Sequence, residues 1–243
     1  MSILILEFGC NHEGSLKLAE DMIYVAHELG ANIVKFQLYN PLVFMKEDHI
    51  LYPKRVQILN VMRDYYLLID YAHSFNLKIG FSIFTDDFWQ AVENSDYIKI
   101  AARQLQEDLT YLDRYLEYLS QFNQNIFVSY RDKKDLDKLS KLKAHEIVPL
   151  GVISKYPHTF EEGMNLIEKC EKELRGYKMW GVSLHCPDEN LIYYAHEKGA
   201  NFIEVHFTLN KEQSKFRDHS IAFEPHEISD IICVMNLTEK TIH

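Results

Sequence analysis

One rhythm constrains this chain more than any other feature. Short β-branched or aromatic runs alternate with amphipathic stretches, eight of each. The runs "ILILEFG", "NIVKFQLY", "KIGFSIF", "YIKIA", "NIFVSY", "IVPLGVIS", "KMWGVSLH" and "FIEVHFTL" read as strands. The stretches "LKLAEDMIYVAHELG", "VQILNVMRDYYLLIDYAHSF", "DDFWQAVEN", "DLTYLDRYLEYLSQF", "KKDLDKLSKLK", "TFEEGMNLIEKCEKEL", "ENLIYYAHEKG" and "EPHEISDIICVMN" read as helices by their period. Strands that are nearly continuous in apolar residues, each followed by a helix, belong in a parallel sheet covered on both faces. Eight such units in a chain of 243 residues predict a closed (β/α)8 TIM barrel, with an open doubly wound sheet as the alternative. No linker or low-complexity stretch divides the chain, so residues 1–243 are expected to form a single barrel domain. The glycines of "ELGAN" and "EKGAN" are expected to end helices ahead of the second and eighth strands. Ser15 reads as a helix N-cap.

Charge and composition narrow the function. The net charge is −10, which argues against binding to nucleic acid or to an anionic membrane, both of which need a basic face. A site for an anionic substrate would need local cations against that global sign. No apolar run reaches membrane-spanning length, and the N-terminus lacks the pattern of a signal peptide, so a cytoplasmic location is expected. Cys10, Cys170, Cys186 and Cys233 show no CxxC spacing and read as reduced thiols.

In a TIM barrel the active site lies at the C-terminal ends of the strands. Polar residues gather there from every strand but the third: Glu7, Asn11 and His12; Lys35 and Gln37; Lys99, Arg103 and Gln104; Ser129 and Arg131; Ser154, Lys155 and Tyr156; Ser183 and His185; Glu204 and His206, with Asp218 and His219 in the last loop. His185 and His206 sit late on neighbouring strands. Two imidazoles so placed can hold one divalent cation and leave positions open for substrate and water; a hydrogen-bonded pair is the other reading. Cys186, next along an extended strand, would point away from them. Lys35 and Lys99 interrupt apolar strands. A buried lysine needs a partner, either a carboxylate such as Glu7 or Glu204 or a bound phosphate or carboxylate. Lys99 would also suit a Schiff base. "GSLKLAEDM" is not a phosphate-binding glycine fingerprint. The run "RDKKDLDKLSKLK" reads as a solvated helix face, and the tyrosines of "YLDRYLEYL" as packing.

The segments "EFGCNHEGS", "GANIVKFQ", "YIKIA", "YPHTFEEGMNL", "GVSLH" and "GANFIEVHFTL" stand in the order and spacing of the sialic acid synthase family, which the chain resembles over nearly its whole length. That resemblance implies a metal-dependent barrel. Such enzymes condense phosphoenolpyruvate with the open-chain aldehyde of an acylated amino sugar, or its 6-phosphate, to give a 2-keto-3-deoxy sugar acid and phosphate. It implies that His185 and His206 bind the metal, manganese or magnesium. It puts Lys99, Ser129, Ser154 and Ser183 at phosphoenolpyruvate, and Gln37, Tyr156 and Asp218 at the sugar. Glu7, Asn11 and His12 fall in the first signature loop, beside Lys35, and would help to build the mouth of the barrel.

The chain departs from the family pattern in three places. Ala102, Arg103 and Gln104 stand where the family usually has Ser-Gly-Glu; the "SLH" motif replaces "SDH"; and the chain ends after its eighth helix, without the small C-terminal antifreeze-like domain of many members. The resemblance therefore implies either a homodimer or a separate partner chain that supplies that domain. Gln104 is expected to mark a changed sugar site, with Arg103 suited to an acceptor carrying an anion. A binding or scaffolding homologue without catalysis, or a Schiff-base aldolase on Lys99, are the competing expectations.

Overall fold

Strands β1 (Ile3–Gly9), β2 (Ile33–Leu38), β3 (Lys78–Ile83), β4 (Tyr97–Ile100), β5 (Asn125–Tyr130), β6 (Ile147–Val152), β7 (Gly181–Leu184) and β8 (Phe202–His206) pair in chain order, all parallel, and β8 returns to β1. The computed structural model describes residues 2–44, 46–107, 109–123, 125–141, 147–212 and 217–240. The barrel is closed, so the doubly wound alternative is excluded.

Alternation along each strand divides the barrel into two environments. Outward residues such as Leu6, Phe8, Val34, Phe36, Ile98 and Val205 join one large core beneath the helices. Inward residues of the lower layer, Ile5, Ile33, Tyr97, Phe127, Val148, Leu150 and Phe202, fill the barrel axis. The next inward layer is polar, and the register aligns it: Glu7 pairs with Lys35 and His206, Ser82 with Lys99, and Ser183 with Glu204. An apolar plug therefore closes the barrel from below and leaves a polar floor facing the C-terminal mouth.

The helices follow the expected places with local exceptions. They are α1 (Leu16–Glu28), α2 (Pro41–Phe44), α3 (Tyr52–Arg63), α4 (Tyr65–Ser74), α5 (Gln104–Glu107), α6 (Leu109–Leu119), α7 (Lys133–Asp137), α8 (Phe160–Glu173), α9 (Glu189–Glu197) and α10 (Pro225–Lys240). Ser15 caps α1 by accepting from the Leu18 N–H at 3.1 Å, and Gly30 and Gly199 take positive φ after α1 and α9, as expected. The second expected helix is two, broken at Asp64, and the third is a 3-10 helix over Asp86–Glu93. Tyr115 and Tyr118 stack on Trp89 of that 3-10 helix, at 5.5 and 5.2 Å. In the charged run after β5, Asp132, Lys133, Lys134 and Asp137 are exposed while Asp135 and Leu139 are buried; its Leu142 and Lys143 lie outside the described residues. No helix among the described residues is long and apolar enough to cross a membrane.

Gly181 shows how tightly β7 and β8 meet. A Cβ there would lie 2.1 Å from the Phe202 carbonyl oxygen, a backbone atom that cannot swing aside. Gly181→Ala is expected to destabilise the fold by about 1–3 kcal/mol, read as a lower urea midpoint. An unchanged midpoint would mean that the two strands separate easily.

Candidate active site

A cavity of about 890 Å³ opens at the C-terminal mouth. Of the residues expected there, Glu7, Lys35, Gln37, Lys99, Arg103, Ser129, Ser154, Tyr156, Ser183, His185, His206 and Asp218 line it. The floor is a chain of alternating charges. Glu7 contacts the Lys35 ammonium, which also donates to Ser82 at 3.0 Å and lies 3.9 Å from Glu204. Glu204 in turn contacts Lys99 and accepts from Ser183 at 2.8 Å, while Lys99 reaches Ser183 at 3.4 Å. Lys35 is 1% exposed and Glu204 3%. Burial alone would raise the Glu204 carboxyl, but Lys35 and Lys99 outweigh it and hold it down to about 2. Burial presses the Lys35 ammonium below its ordinary value, and Glu204 works against that. The expectation of carboxylate partners is met for both lysines, which also face the cavity.

The histidines form one wall. The rings of His185 and His206 are 5.5 Å apart at 52°, and Tyr156 stacks on His185 at 4.0 Å and 22°. The Nδ1 of His185 lies 3.0 Å from the Ile153 carbonyl, which accepts its proton and leaves Nε2 with the lone pair. The His185 N–H donates to His158 Nε2 at 3.1 Å. Burial, and then His206, lowers His185 to about 3, so its ring is neutral near pH 7. Cys186 is buried and does not line the cavity, as its strand position implied. Opposite, Asp218 and Gln37 converge over Gly9, where a Cβ would lie 3.3 Å from Asp218 Oδ2 and 3.5 Å from Gln37 Nε2.

Five residues expected at the mouth, Gln104, Asn11, His12, Lys155 and His219, do not line the cavity. Gln104 does not line the cavity: its Oε1 accepts from the Ala101 N–H at 2.9 Å and its Nε2 donates to the Ile83 carbonyl at 2.7 Å. The amide splices two strand ends and is turned away from the cavity. Asn11 donates through Nδ2 to the Phe207 carbonyl at 2.8 Å, and His12 accepts from the Gly14 N–H at 3.3 Å. Both are buried: Asn11 fastens the first loop to the residue after β8, and His12 closes a turn within the loop, rather than lining the mouth. Lys155 also points away, to Glu162 at 2.9 Å.

Burial, and then Lys54, lowers His12 to about 4 from an ordinary 6.5. Below 6.5 the unfolded chain takes up a proton that the folded chain refuses, so stability is lost as pH falls from about 6.5 to about 4. The slope from this one group approaches about 1.4 kcal/mol per pH unit. In urea titrations between those values, wild type is expected to weaken more steeply with acid than His12→Gln. Equal slopes would show that His12 protonates in place.

Several lining residues escaped the sequence reading. Ser82 on β3 gave no signal beyond one hydroxyl in an apolar run. Tyr39 and Arg55 reach the rim, where Arg55 contacts the Tyr39 hydroxyl and Cys10 lies 3.2 Å from it. Burial, and then Asp218, pushes the Cys10 thiol up to about 11, so it is no nucleophile. Gln106 lines the cavity too, as do Glu204 and Arg131, both of which were expected at the mouth.

The sequence model of the NeuB family matches residues 22–242. The N,N'-diacetyllegionaminic acid synthase of Campylobacter jejuni is 26% identical over 266 residues, covering 99% of this chain and 77% of that protein. The enzyme of the same name from Legionella pneumophila is 24% identical over 263 residues, covering 94% and 70%. The N-acetylneuraminic acid (sialic acid) synthetase of Leptospira borgpetersenii has the same fold, with a TM-score of 0.83 at 22% identity over 99% of this chain and 85% of that one. A family match over nearly the whole barrel, joined to relatives that are sugar-acid synthases, assigns the chain: it belongs to the NeuB family.

Proposed function

We propose that the chain condenses phosphoenolpyruvate with the open-chain aldehyde of an acylated amino sugar, or of its phosphate. The products are a 2-keto-3-deoxy sugar acid of sialic type and inorganic phosphate, with one water consumed. The observation that carries this reading is the content of one cavity: the neutral imidazole of His185 beside His206, a buried lysine and three serine hydroxyls. Its volume suits two small substrates side by side.

A divalent metal, manganese or magnesium, belongs to this reading, and the residues fit one. His185 is oriented by a backbone carbonyl at Nδ1, the outer support that metal-binding histidines ordinarily have, and it is neutral. Among the described residues no cluster of three His, Cys, Asp or Glu side chains could hold a metal. His185 and His206 would therefore be its protein ligands, with substrate and water in the remaining positions. When bound, such an ion supplies Lewis acidity toward the acceptor carbonyl.

The chain's own groups would do the rest. Glu204 holds Lys99 and Ser183 at the floor, where both can donate to an anionic substrate, with Ser129 and Ser154 as further hydroxyls. Tyr156, stacked on His185, forms a flat wall for the sugar chain, and Asp218 and Gln37 offer an acceptor and a donor to its hydroxyls. Holding the enol carbon and the aldehyde in contact is where much of the rate arises. A Schiff base on Lys99 is disfavoured, because its Nζ is already engaged by Glu204 and Ser183. The non-catalytic reading drew on Gln104, which lies outside the cavity.

The test is phosphate release from phosphoenolpyruvate with manganese and a panel of acetamido aldoses and their phosphates. Release that depends on one acceptor is expected. Tight binding of phosphoenolpyruvate without release under any acceptor would leave a binding protein instead.

A further inference from the structure

The ladders that hold β7 stop just short of its histidine. The β6–β7 pairing ends at Val152 with Ser183, and the β7–β8 pairing at Leu184 with Val205. His185 is the next residue, and neither ladder fastens it. The loop after β6 does. The His158 N–H donates to the His185 carbonyl at 3.2 Å, and the His185 N–H donates to His158 Nε2 at 3.1 Å. The two residues grip each other in both directions, as a hydrogen-bonded strand pair does, with an imidazole nitrogen in place of one carbonyl.

That grip fixes the state of the His158 ring. A backbone N–H can only donate, so Nε2 carries the lone pair and Nδ1 the proton. Nδ1 lies 2.9 Å from the Thr159 carbonyl, which accepts that proton. His158 is 2% exposed and does not line the cavity. Its ring occupies a space that α8 leaves open: a Cβ on Gly163 would lie 2.9 Å from His158 Cε1. The loop is anchored on the same helix. Thr159 accepts from the Glu162 N–H at 3.2 Å, and the Glu162 carboxylate accepts from the Thr159 N–H at 2.7 Å. Two other residues of the loop hold the His185 ring itself, Ile153 at Nδ1 and Tyr156 by stacking.

We infer that His158 is a positioning residue for His185: its neutral imidazole replaces the missing strand partner and holds the His185 ring, with its bare Nε2, in the cavity wall. Without that acceptor the buried His185 N–H is left unpaired, and the strand end gains by turning to find another. The inference rests on the proposed metal reading only in taking manganese as the probe of the His185 ring.

The experiment titrates manganese alone, followed by electron paramagnetic resonance, into wild type, His158→Leu, His158→Asn, His158→Gln, Thr159→Ala and His185→Ala. The amide of Gln reaches the place of Nε2, that of Asn only the place of Nδ1, and Leu offers no acceptor. Leu and Asn are expected to weaken manganese about tenfold or more, with Gln recovering most of the loss. If the Leu variant does not fold, Asn against Gln carries the same comparison. Thr159→Ala removes the helix cap but no bond to His185, so it is expected to lower the urea midpoint and bind manganese as wild type does. A manganese loss in Thr159→Ala equal to that in His158→Leu would reduce His158 to general support of the fold and overturn the inference. A second readout needs no metal. In wild type a scalar coupling across the N–H···N bond joins the His185 amide nitrogen to His158 Nε2, and the His185 ring nitrogens report one tautomer; in His158→Leu the ring is expected to become a mixture. Manganese held by the Leu and Asn variants as tightly as by wild type, but lost in His185→Ala, overturns the positioning role and keeps the metal. Manganese binding indifferent to His185→Ala removes the metal reading instead, and the ring spectra then decide: a mixed tautomer in His158→Leu keeps the positioning role, and an unchanged ring overturns it.

Discussion

Glu204→Ala is expected to lower the unfolding free energy by about 3–5 kcal/mol, because it leaves two buried lysines facing each other with only Glu7 to compensate them. Urea unfolding followed by circular dichroism reads the loss. Glu204→Gln keeps the shape and one acceptor for Ser183 and Lys99, so its cost is expected to be smaller. Replacing Glu204 by Leu and Lys99 by Met together is expected to recover part of the loss, since the pair then disappears as a unit. The acid limb carries the same signature. The Glu204 carboxyl, held down to about 2 against an ordinary 4.5, adds stability that is complete above 4.5 and lost as pH falls toward 2. A cost below about 1 kcal/mol for Glu204→Ala would show that solvent from the mouth already screens the lysines.

His185→Ala and His206→Ala are each expected to weaken manganese binding on the order of a hundredfold or more, because each removes one of the two protein ligands proposed here. Calorimetric or paramagnetic titration of manganese measures this without any substrate. Both rings are buried, so circular dichroism of each variant, and His185→Gln as a larger replacement, guards against a folding defect. If both alanine variants bind manganese as tightly as wild type, the pair is a hydrogen-bonded wall and the metal lies elsewhere.

The barrel was legible because parallel strands covered on both faces write a nearly unbroken apolar run, and eight of them in alternation with helices leave few architectures. The floor was legible for the same reason. Glu7, Lys35, Lys99 and Glu204 interrupt those runs at positions where burial without a partner is prohibitive. What the sequence concealed is the direction of side chains beyond the strand ends, where alternation stops. Gln104 follows β4 as a site residue would, yet a turn carries its amide to the Ile83 carbonyl. Asn11 and His12 sit in a loop rich in polar groups; Asn11's partner, Phe207, is fixed by how β1 meets β8, and His12's, Gly14, by the turn of the loop itself. The 3-10 helix over Asp86–Glu93 has an amphipathic sequence, and that pattern alone does not distinguish tight winding from an α-helix. Ser82 was silent because a single serine in a strand says nothing until Lys35 is placed 3.0 Å from it.

The central claim is that this mouth joins phosphoenolpyruvate to an aldehyde sugar. Its most direct measurement follows isotope-labelled phosphoenolpyruvate, labelled at the methylene carbon, by mass spectrometry and nuclear magnetic resonance in the presence of manganese and the acceptor panel. The account predicts that the label appears in a new sugar acid three carbons longer than its acceptor, bonded to the former aldehyde carbon, with one phosphate released per product. Label recovered only in unchanged phosphoenolpyruvate or in free pyruvate, with every acceptor returned intact, would contradict it.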